Sequence, residues 1–230
     1  MAMNPNPALV APEYIERAKQ LGSALLADGM KALGDIKNDG VMETAMMPVS
    51  PDMVMVGTAL TVDTDNGDNY PIHLATYSGG EGYVMVIDGK GFMGRAYLGD
   101  LIVSAAAAVG YEGIVCDGCT RDRNGCVELG LPVFSKGFNQ RGPIKKNPGS
   151  LNTDVLCGGI TVCPGDLVVG DCDGVTVVPR DRIPEALEKA EEKLRYETDR
   201  RATIDRYIEC KKNGEPLFDL APKWVRDMMK

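Results

Sequence analysis

The sequence predicts a mixed α/β domain, and three features of the chain lead to that prediction. An apolar, strand-like segment at 83–88 (YVMVID) is followed by a strong helical pattern at 100–110 and a second buried strand at 113–118. Three short strand-like segments with turn signals follow in the second half of the chain. A strand–helix–strand unit followed by a strand-rich region favours a layered arrangement of sheet and helix.

The first part of the chain alternates helical and strand-like patterns. Residues 12–34 carry apolar residues at helical spacing, which predicts one or two helices. Residues 54–64 alternate apolar with small or polar residues, as a strand does, and residues 72–79 predict a short helix that runs into glycines. The segment GKGFMGRAYLGD (89–100) is expected to break the strand at 83–88.

The central helix has clear start and stop signals. Asp100 is a good N-cap, the alanines at 105–108 propagate the helix, and Gly110 ends it. The strand at 113–118 is followed by TRDRNG, which predicts a turn.

The second half begins with a strand at 131–137 and a loop rich in proline, glycine and asparagine at 138–150. The three short strands lie in ITVCPGD, LVVGDCDG and VTVVP, and residues 182–212 predict a long charged helix. Its apolar seam consists of Leu187, Ala190 and Leu194. The C-terminal arm, residues 215–230, holds the only tryptophan, Trp224, and is expected to dock at a subunit interface.

Composition narrows the class of protein. A chain of 230 residues is long enough to bury one good core. The net charge of −8 and the scattered basic residues argue against nucleic acid, which needs a concentrated positive surface. The longest apolar run, 101–110, is far shorter than the ~20 residues that cross a bilayer, so no membrane partner is expected.

Location follows from the N-terminus and the cysteines. The first residues lack a basic region followed by an apolar stretch, so we expect no secretory signal. The seven cysteines are odd in number and irregularly spaced, which fits reduced thiols better than a disulfide framework. A cytoplasmic protein is expected.

The segment VCDGCTRDRNGC (115–126) concentrates chemistry that could belong to three kinds of site. The first is a sulfur site built on Cys116, Cys119 and Cys126. Structural zinc needs four ligands, and no second cysteine pair follows, so packing is the favoured role of these thiols.

The second is a nucleotide site. Gly89, Gly91 and Gly94 form a G-x-G-x-x-G after a strand, and Asp117 ends the next strand. A dinucleotide fingerprint should continue into an unbroken helix, whereas YLGD inserts a fresh helix start, so turn glycines are the favoured interpretation.

The third is a carboxylate–guanidinium site of Arg121 and Asp122, with Asp100 twenty-one residues before Arg121. If the helix at 100–110 leads into a strand that runs back, Asp100 can lie near the turn after that strand. A guanidinium fork suits a carboxylate, a carboxylate suits Mg²⁺, and a helix N-terminus suits an anion. The alternative from spacing alone is an exposed salt bridge between Arg121 and Asp122.

The run from YVMVID through DLIVSAAAAVG to VCDGCTRD resembles the central signature of the RraA-like proteins. This family includes class II pyruvate aldolases that cleave 4-hydroxy-4-methyl-2-oxoglutarate and 4-carboxy-4-hydroxy-2-oxoadipate. The likeness extends to NYPIH, LPVFSKG and GGITVCPGDLVVGDCDGVTVVP and covers residues 20–200. It implies one domain over 1–230, with the helix end and arm at 201–230. The implied fold is a layered α/β/α domain with a central β-sandwich-like sheet, in a homotrimer or hexamer with sites between subunits.

The resemblance also implies residue roles. Asp122 would bind Mg²⁺ or Mn²⁺, Arg121 would hold the 2-oxo acid and stabilise an enolate, and Asp100 would organise water. The pyruvyl carboxylate would meet the backbone at the helix start, and a C-terminal glutamate of a neighbouring subunit would join the water network. These last roles map to Gly99, Leu101, Ile102 and Glu197.

The chemistry of the expected reaction is consistent with these residues. Cleavage of a 4-hydroxy-2-oxo acid leaves a pyruvate enolate, whose charge needs a Schiff-base lysine or a divalent cation with an arginine. The signature offers only Lys90, in a glycine turn, so the metal route is favoured. Oxaloacetate decarboxylation passes through the same enolate and is expected as a second activity.

One position departs from the family pattern. The aldolases usually carry an acidic residue three positions after the metal-binding aspartate, where this chain has Gly125. The alternative function is that of the family's namesakes, non-catalytic regulators that bind ribonuclease E. Such members tend to lack an intact Arg-Asp pair, which this chain retains, so the enzyme is favoured.

Overall fold

A computed structural model describes residues 3–34 and 39–229 of the chain. Its helices are α1 (Pro12–Ala32), α2 (Tyr70–Ser78), α3 (Asp100–Val109), α4 (Arg123–Leu129), α5 (Ile183–Asn213) and α6 (Lys223–Met228). Its strands are β1 (Met47–Pro48), β2 (Met55–Asp63), β3 (Tyr83–Leu98), β4 (Gly113–Thr120), β5 (Val133–Phe138), β6 (Ser150–Leu151), β7 (Val155–Cys157), β8 (Ile160–Val162), β9 (Leu167–Asp171) and β10 (Gly174–Val178).

One mixed sheet organises the fold. Its strand order is β1-β5-β4-β3-β2-β9-β10, and β6 pairs with β2 outside this path. The central strands β2, β3, β4 and β5 are parallel, whereas β9, β10, β1 and β6 pair antiparallel with their neighbours. Strands β7 and β8 form a separate two-stranded sheet. The parallel strands place their carboxyl ends along one edge of the sheet, where α3 and α4 begin.

Both faces of the central sheet are buried. Successive residues of a strand point to opposite faces, and each face packs against its own apolar cluster. Met85 and Ile87 of β3 join one apolar cluster with α2 and α3, and Val84 and Val86 join another with β7 and β8. Helices α1 and α5 bury a third cluster against β9 and β10. This arrangement confirms the predicted layered α/β fold.

Most predicted elements occur where the sequence placed them. The helical segment at 12–34 is α1, which is kinked at Gly22, where φ is +73°. The seam of α5 is buried at Leu187 and Ala190, whereas Leu194 is 36% exposed. The helix at 100–110 ends at Gly110, in the left-handed conformation.

Three local predictions were wrong. The glycine-rich segment does not end β3, which continues to Leu98 through irregular pairing with β4. Lys90 and Gly91 take positive φ values of 58° and 63°, so the chain bulges and then rejoins the sheet. The N-cap of α3 is Gly99 and not Asp100, which is the first helical residue. The expected turn TRDRNG is a turn at Arg121–Asp122 followed by α4.

Candidate active site

A cavity of about 120 Å³ opens at the carboxyl end of the parallel strands. Its wall contains the segment 98–102, which leads into α3, and the turn Arg121–Asp122. Four further residues complete it: Asn69, His73, Pro143 and Lys145. The sequence-predicted residues Gly99, Asp100, Leu101, Ile102, Arg121 and Asp122 therefore surround one space.

The β3–α3–β4 unit brings Asp100 and Arg121 together. Strands β3 and β4 are parallel neighbours, and Leu98 is paired with Thr120 at their ends. The N–H of Arg121 donates to the carbonyl oxygen of Leu98 at 3.0 Å. Because α3 starts directly after β3, Asp100 and the turn after β4 meet at the same edge of the sheet. The structure confirms the expected proximity.

Asp122 has an unusual backbone and an unused carboxylate. Its φ and ψ of 56° and 43° lie in the left-handed region, which a non-glycine residue seldom adopts. It is the N-cap of α4, yet its side chain makes no capping hydrogen bond. The Asp122 carboxylate accepts no other hydrogen bond from the described residues, apart from its ion pair with Arg121.

That ion pair is half-exposed. Arg121 Nε lies 3.3 Å from Asp122 Oδ2, and both side chains are about 40% exposed. An ion pair of this exposure contributes only ~0–1 kcal/mol, which does not account for a strained backbone on its own. Backbone strain of this kind clusters at functional sites. The exposed salt bridge expected as the alternative is present, and it lies within the cavity.

Gly99 leaves room for this turn. A Cβ atom on Gly99 would collide with Asp122 Oδ2 and lie 2.9 Å from Arg121 Cγ. The φ of Gly99 is −150°, an extended value that any residue adopts, so lack of space rather than backbone conformation favours glycine.

Gly99→Ala is therefore expected to displace the Asp122 carboxylate and to lower the rate of any reaction catalysed at this cavity by about tenfold, because a small misplacement of a site group is costly. Thermal unfolding should change little, because the displaced carboxylate is a half-exposed side-chain end. Gly137→Ala is the matched control: its Cβ would meet only the Met93 methyl group, at 3.0 Å. Equal rates for Gly99→Ala and Gly137→Ala would contradict the expectation.

The carboxylates at the cavity fit a hard divalent cation, which prefers oxygen ligands and retains several waters. Asp122 has an accessible carboxylate, and Asp100 lines the same cavity. The described residues contain one group of three possible metal ligands whose ligand atoms all lie within 4.8 Å of one another. This group consists of Asp171, Cys172 and Asp173. Asp171 already accepts hydrogen bonds from the N–H and hydroxyl of Ser23, which explains its position without a metal.

The start of α3 offers a backbone donor to an anion. The N–H of Ile102 already donates to the Gly99 carbonyl oxygen at 3.1 Å. Leu101 N–H has no partner in the described part of the chain, and Leu101 is 80% exposed. Of the two predicted backbone donors, Leu101 is the better placed.

Sequence reasoning did not assign Asn69 or Lys145 to the site. Lys145 comes from the loop 138–150, which carried only a loop signal. Burial, together with the charge of Lys145, lowers the pKa of His73, so its imidazole stays neutral at neutral pH. Asn69 lies in the segment NYPIH, where sequence alone drew attention only to His73.

Glu197 does not line the cavity of the single chain. It lies on α5, 3.8 Å from Lys193, which in turn pairs with Asp28 of α1. Its predicted role in a neighbouring subunit stays a prediction.

The other two interpretations of the 115–126 segment find structural explanations. Cys116 and Cys126 are buried; burial raises the pKa of Cys126 to about 11 and that of Cys116 well above its ordinary value. Buried thiols of this kind pack and do not react. Asp117, the acidic residue of the nucleotide interpretation, is buried and pairs with Lys136 at 2.6 Å. A Cβ atom at Gly89 would collide with the carbonyl oxygen of Asp117. Glycine at this position therefore allows the two strands to pack closely.

Comparison with known proteins identifies the family of the chain. A family model described as RraA-like, Aldolase/RraA, matches residues 23–177. The chain belongs to the RraA-like family. A Halalkalibacterium halodurans relative provisionally named 4-hydroxy-4-methyl-2-oxoglutarate aldolase is 33% identical over 181 residues, 79% of this chain and 83% of the relative. A Hahella chejuensis relative with the same provisional name is 39% identical over 112 residues, 49% of this chain and 68% of the relative.

Solved structures share the RraA-like fold. The Streptomyces coelicolor protein RraAS2, described as an unusual member of the RNase ES inhibitor RraA family, superposes with a TM-score of 0.74 at 24% identity. The superposition covers 86% of this chain and 99% of that protein. The part of the chain matched to the RraA-like model contains all the cavity residues, but neither Glu197 nor the C-terminal arm. None of the described helices is long and apolar enough to span a membrane.

Proposed function

We propose that this RraA-like protein is a divalent-metal-dependent aldolase that cleaves a 4-hydroxy-2-oxo acid to pyruvate and a second oxo compound. One observation carries the proposal. A helix start, an arginine and two carboxylates meet at one cavity, and the Asp122 carboxylate is held by a strained turn without serving as a cap. The provisional names of two relatives support the same class of reaction.

Arg121 and the start of α3 bind the pyruvyl end of the substrate. The guanidinium donates to the 2-oxo oxygen, where negative charge grows as the C3–C4 bond breaks. The free N–H of Leu101 receives the carboxylate, aided by the positive end of the α3 dipole. The backbone that carries both donors is anchored at the sheet edge, where Leu98 is paired with Thr120 and accepts from the N–H of Arg121.

Asp100 holds the water that transfers the proton of the C4 hydroxyl. A water held by its carboxylate removes the proton from the C4 hydroxyl, and the C4–O bond becomes a carbonyl as the C3–C4 electron pair moves into the enolate. The same water returns the proton to C3, which gives pyruvate. Oxaloacetate loses CO₂ to form the same enolate and is proposed as a second substrate.

The carboxylate of Asp122 would hold Mg²⁺ or Mn²⁺. Asp100, in the same cavity, would hold the water that takes the proton. When bound, the cation polarises the 2-oxo group and neutralises part of the enolate charge. The family's usual acidic residue at position 125 is replaced here by glycine, and a Cβ atom at this position would lie 3.0 Å from the Cβ atom of Asp100. Asp100 therefore lacks a neighbouring carboxylate that other members have.

The lysines support the metal route over a Schiff base. Burial disfavours the charged form of Lys90, but the carboxylates of Asp63 and Asp88, each 2.6 Å away, outweigh burial and raise the pKa of Lys90. A protonated amine cannot attack a carbonyl, and a raised pKa favours the protonated form. Lys145 lines the cavity but is solvent-exposed, whereas Schiff-base lysines are activated by desolvation or by a neighbouring cation.

We also propose that the active form is a homotrimer or hexamer in which Glu197 of a neighbouring chain approaches the cavity. Its position on α5, away from the cavity of its own chain, supports a role in trans. Exposed apolar residues along α5 and the arm offer surface for assembly: Leu194, Tyr196, Ile208 and Trp224.

The deciding experiment measures pyruvate release from a panel of 4-hydroxy-2-oxo acids and from oxaloacetate, after EDTA and after return of Mg²⁺ or Mn²⁺. We expect activity to disappear with EDTA and to return with either ion. Full activity in the metal-free protein, or inactivation by borohydride in the presence of pyruvate, would rule out the metal route. Tight binding to ribonuclease E without turnover of any oxo acid would favour the regulator instead.

A further inference from the structure

Lys145 brings an unpaired positive charge to the wall of the cavity. Its side chain is exposed, and no carboxylate among the described residues lies within ion-pair distance of its ammonium group. The other cation of the wall, Arg121, already has a partner in Asp122. A cation that lines a cavity without a partner in the protein is available to form charge-assisted hydrogen bonds with a ligand.

The loop that carries Lys145 is held in place on both sides of this residue. The N–H of Lys146 donates to Asp68 Oδ2 at 2.8 Å, and the N–H of Ile144 donates to the Gly67 carbonyl oxygen at 2.9 Å. Asp68 is completely buried, so it is a firm anchor for the loop. The backbone of Lys145 is therefore fixed at the cavity, and its side chain is the part that is free to meet a ligand.

The same loop passes beside Arg121, which binds the pyruvyl end of the substrate in the proposed reaction. A Cβ atom on Gly142 would lie 3.1 Å from Arg121 Nη1. Lys145 follows three residues later, so its Cα atom lies at most ~11 Å from that of Gly142, the span of an extended chain of this length. The flexible four-carbon stem of lysine extends further, so the ammonium can meet the far end of a substrate that Arg121 holds.

The positive charge of Lys145 is felt inside the cavity. Burial lowers the pKa of His73, and the charge of Lys145 lowers it further. His73 lines the same cavity, and its imidazole is neutral at neutral pH. Lys145 therefore supplies the positive charge at this part of the wall.

We infer that Lys145 binds a second carboxylate, at C5 of the substrate, and so selects dicarboxylic 4-hydroxy-2-oxo acids over monocarboxylic ones. This inference rests on the proposed aldolase function and names the substrate class within it. Arg121 and the N–H of Leu101 bind the pyruvyl end, and the water on Asp100 meets the C4 hydroxyl. The group beyond C4 is the part of the substrate that these contacts leave free. When the C3–C4 bond breaks, the second product keeps the carboxylate that Lys145 holds.

The test uses two analogues that lack the C4 hydroxyl and so cannot be cleaved. 2-Oxoglutarate carries a carboxylate at C5, whereas 2-oxopentanoate has a methyl group there on the same carbon chain. Binding of each is measured by calorimetry with Mg²⁺, and by competitive inhibition of pyruvate release. We expect Lys145→Met to weaken the binding of 2-oxoglutarate about fivefold or more, because an exposed ion pair with charge-assisted hydrogen bonds is lost. The binding of 2-oxopentanoate should stay within about twofold.

A kinetic measurement and two further variants separate this role from a structural one. Lys145→Met should raise KM for 4-hydroxy-4-methyl-2-oxoglutarate more than it lowers kcat, because the C5 carboxylate keeps its charge throughout the reaction. Lys145→Arg keeps the charge and should bind 2-oxoglutarate within about twofold of the wild type. Lys146→Met is the matched control, since Lys146 is exposed, lies outside the cavity wall and contacts Asp68 only through its backbone N–H. It should bind both analogues as the wild type does.

The possible outcomes separate the two proposals. Unchanged binding of 2-oxoglutarate by Lys145→Met, an equal loss of both analogues, or the same loss in Lys146→Met would overturn the role of Lys145 and leave the aldolase intact. A wild type that prefers 2-oxoglutarate through Lys145 but cleaves no 4-hydroxy-2-oxo acid would overturn the aldolase and keep the carboxylate site. A wild type that neither binds the analogues nor cleaves such an acid would overturn both.

Discussion

Replacing Arg121 with lysine is expected to lower kcat by ~10²-fold or more, the scale seen when an oxyanion donor is lost. Lysine keeps the positive charge but loses the planar fork that holds the 2-oxo oxygen. A residue that acts mainly in the transition state lowers kcat more than it raises KM, so KM should change less. Arg121→Ala should be slower still. Steady-state kinetics of pyruvate release measures both variants.

Arg123→Lys provides a matched control on the same turn. Arg123 donates from Nε and Nη2 to the Val49 carbonyl oxygen at 3.2 and 3.1 Å, and its guanidinium lies 4.9 Å from the centre of the Phe138 ring. These are structural contacts, so its loss should affect thermal stability more than turnover. Arg121 variants should keep the wild-type fold and oligomer size, because the side chain is 40% exposed. Turnover at the parent rate by Arg121→Lys would show that Arg121 is a surface ion-pair residue.

The second large effect is expected at Asp122. Asp122→Asn keeps the size of the side chain and tolerates the left-handed backbone, but it removes the charge that would hold the cation. We expect activity at low Mg²⁺ to fall ~10²-fold or more, and to recover in part at higher Mg²⁺ or Mn²⁺. Titration of the rate with each ion measures the shift in apparent affinity.

Asp173→Asn tests a second acidic group, which lies outside the cavity. Asp173 is exposed and belongs to the group with Asp171 and Cys172. Because that group lies outside the cavity, its substitution should leave the metal dependence unchanged. If Asp173→Asn shifted the Mg²⁺ requirement and Asp122→Asn did not, the metal would be misplaced in our proposal. Unchanged function in Asp122→Asn would favour a docking role, which needs no metal.

The sequence was sufficient to predict those features that depend on a local pattern or on a simple connection between strands. Apolar spacing gave the helices and the buried strands, because burial of one helical face or of alternate strand residues leaves a direct trace in the chain. The meeting of Asp100 with Arg121 also followed from the chain, since a short helix between two parallel strands returns the chain to the same edge of the sheet. The family signature then suggested roles that spacing alone left open.

Contacts between distant segments decided the rest. At the bulge in β3, Lys90 pairs with Asp63 and Asp88, and no local sequence pattern encodes these contacts. Helix α4 has only seven residues, one of which is a glycine and one of which is buried, so its pattern was too weak to predict.

Only the tertiary structure places Asn69 and Lys145 in the wall of the cavity. The loop that carries Lys145 is fixed by hydrogen bonds from its backbone to Asp68, seventy-eight and seventy-nine positions earlier in the chain. Those bonds depend on the sheet, which holds the two segments together, because a solvated loop gains too little from them to offset the entropy of closing the intervening chain. The sequence by itself determined which chemistry the chain carries at its central strand ends, and the long-range hydrogen bonds decided which further residues face it.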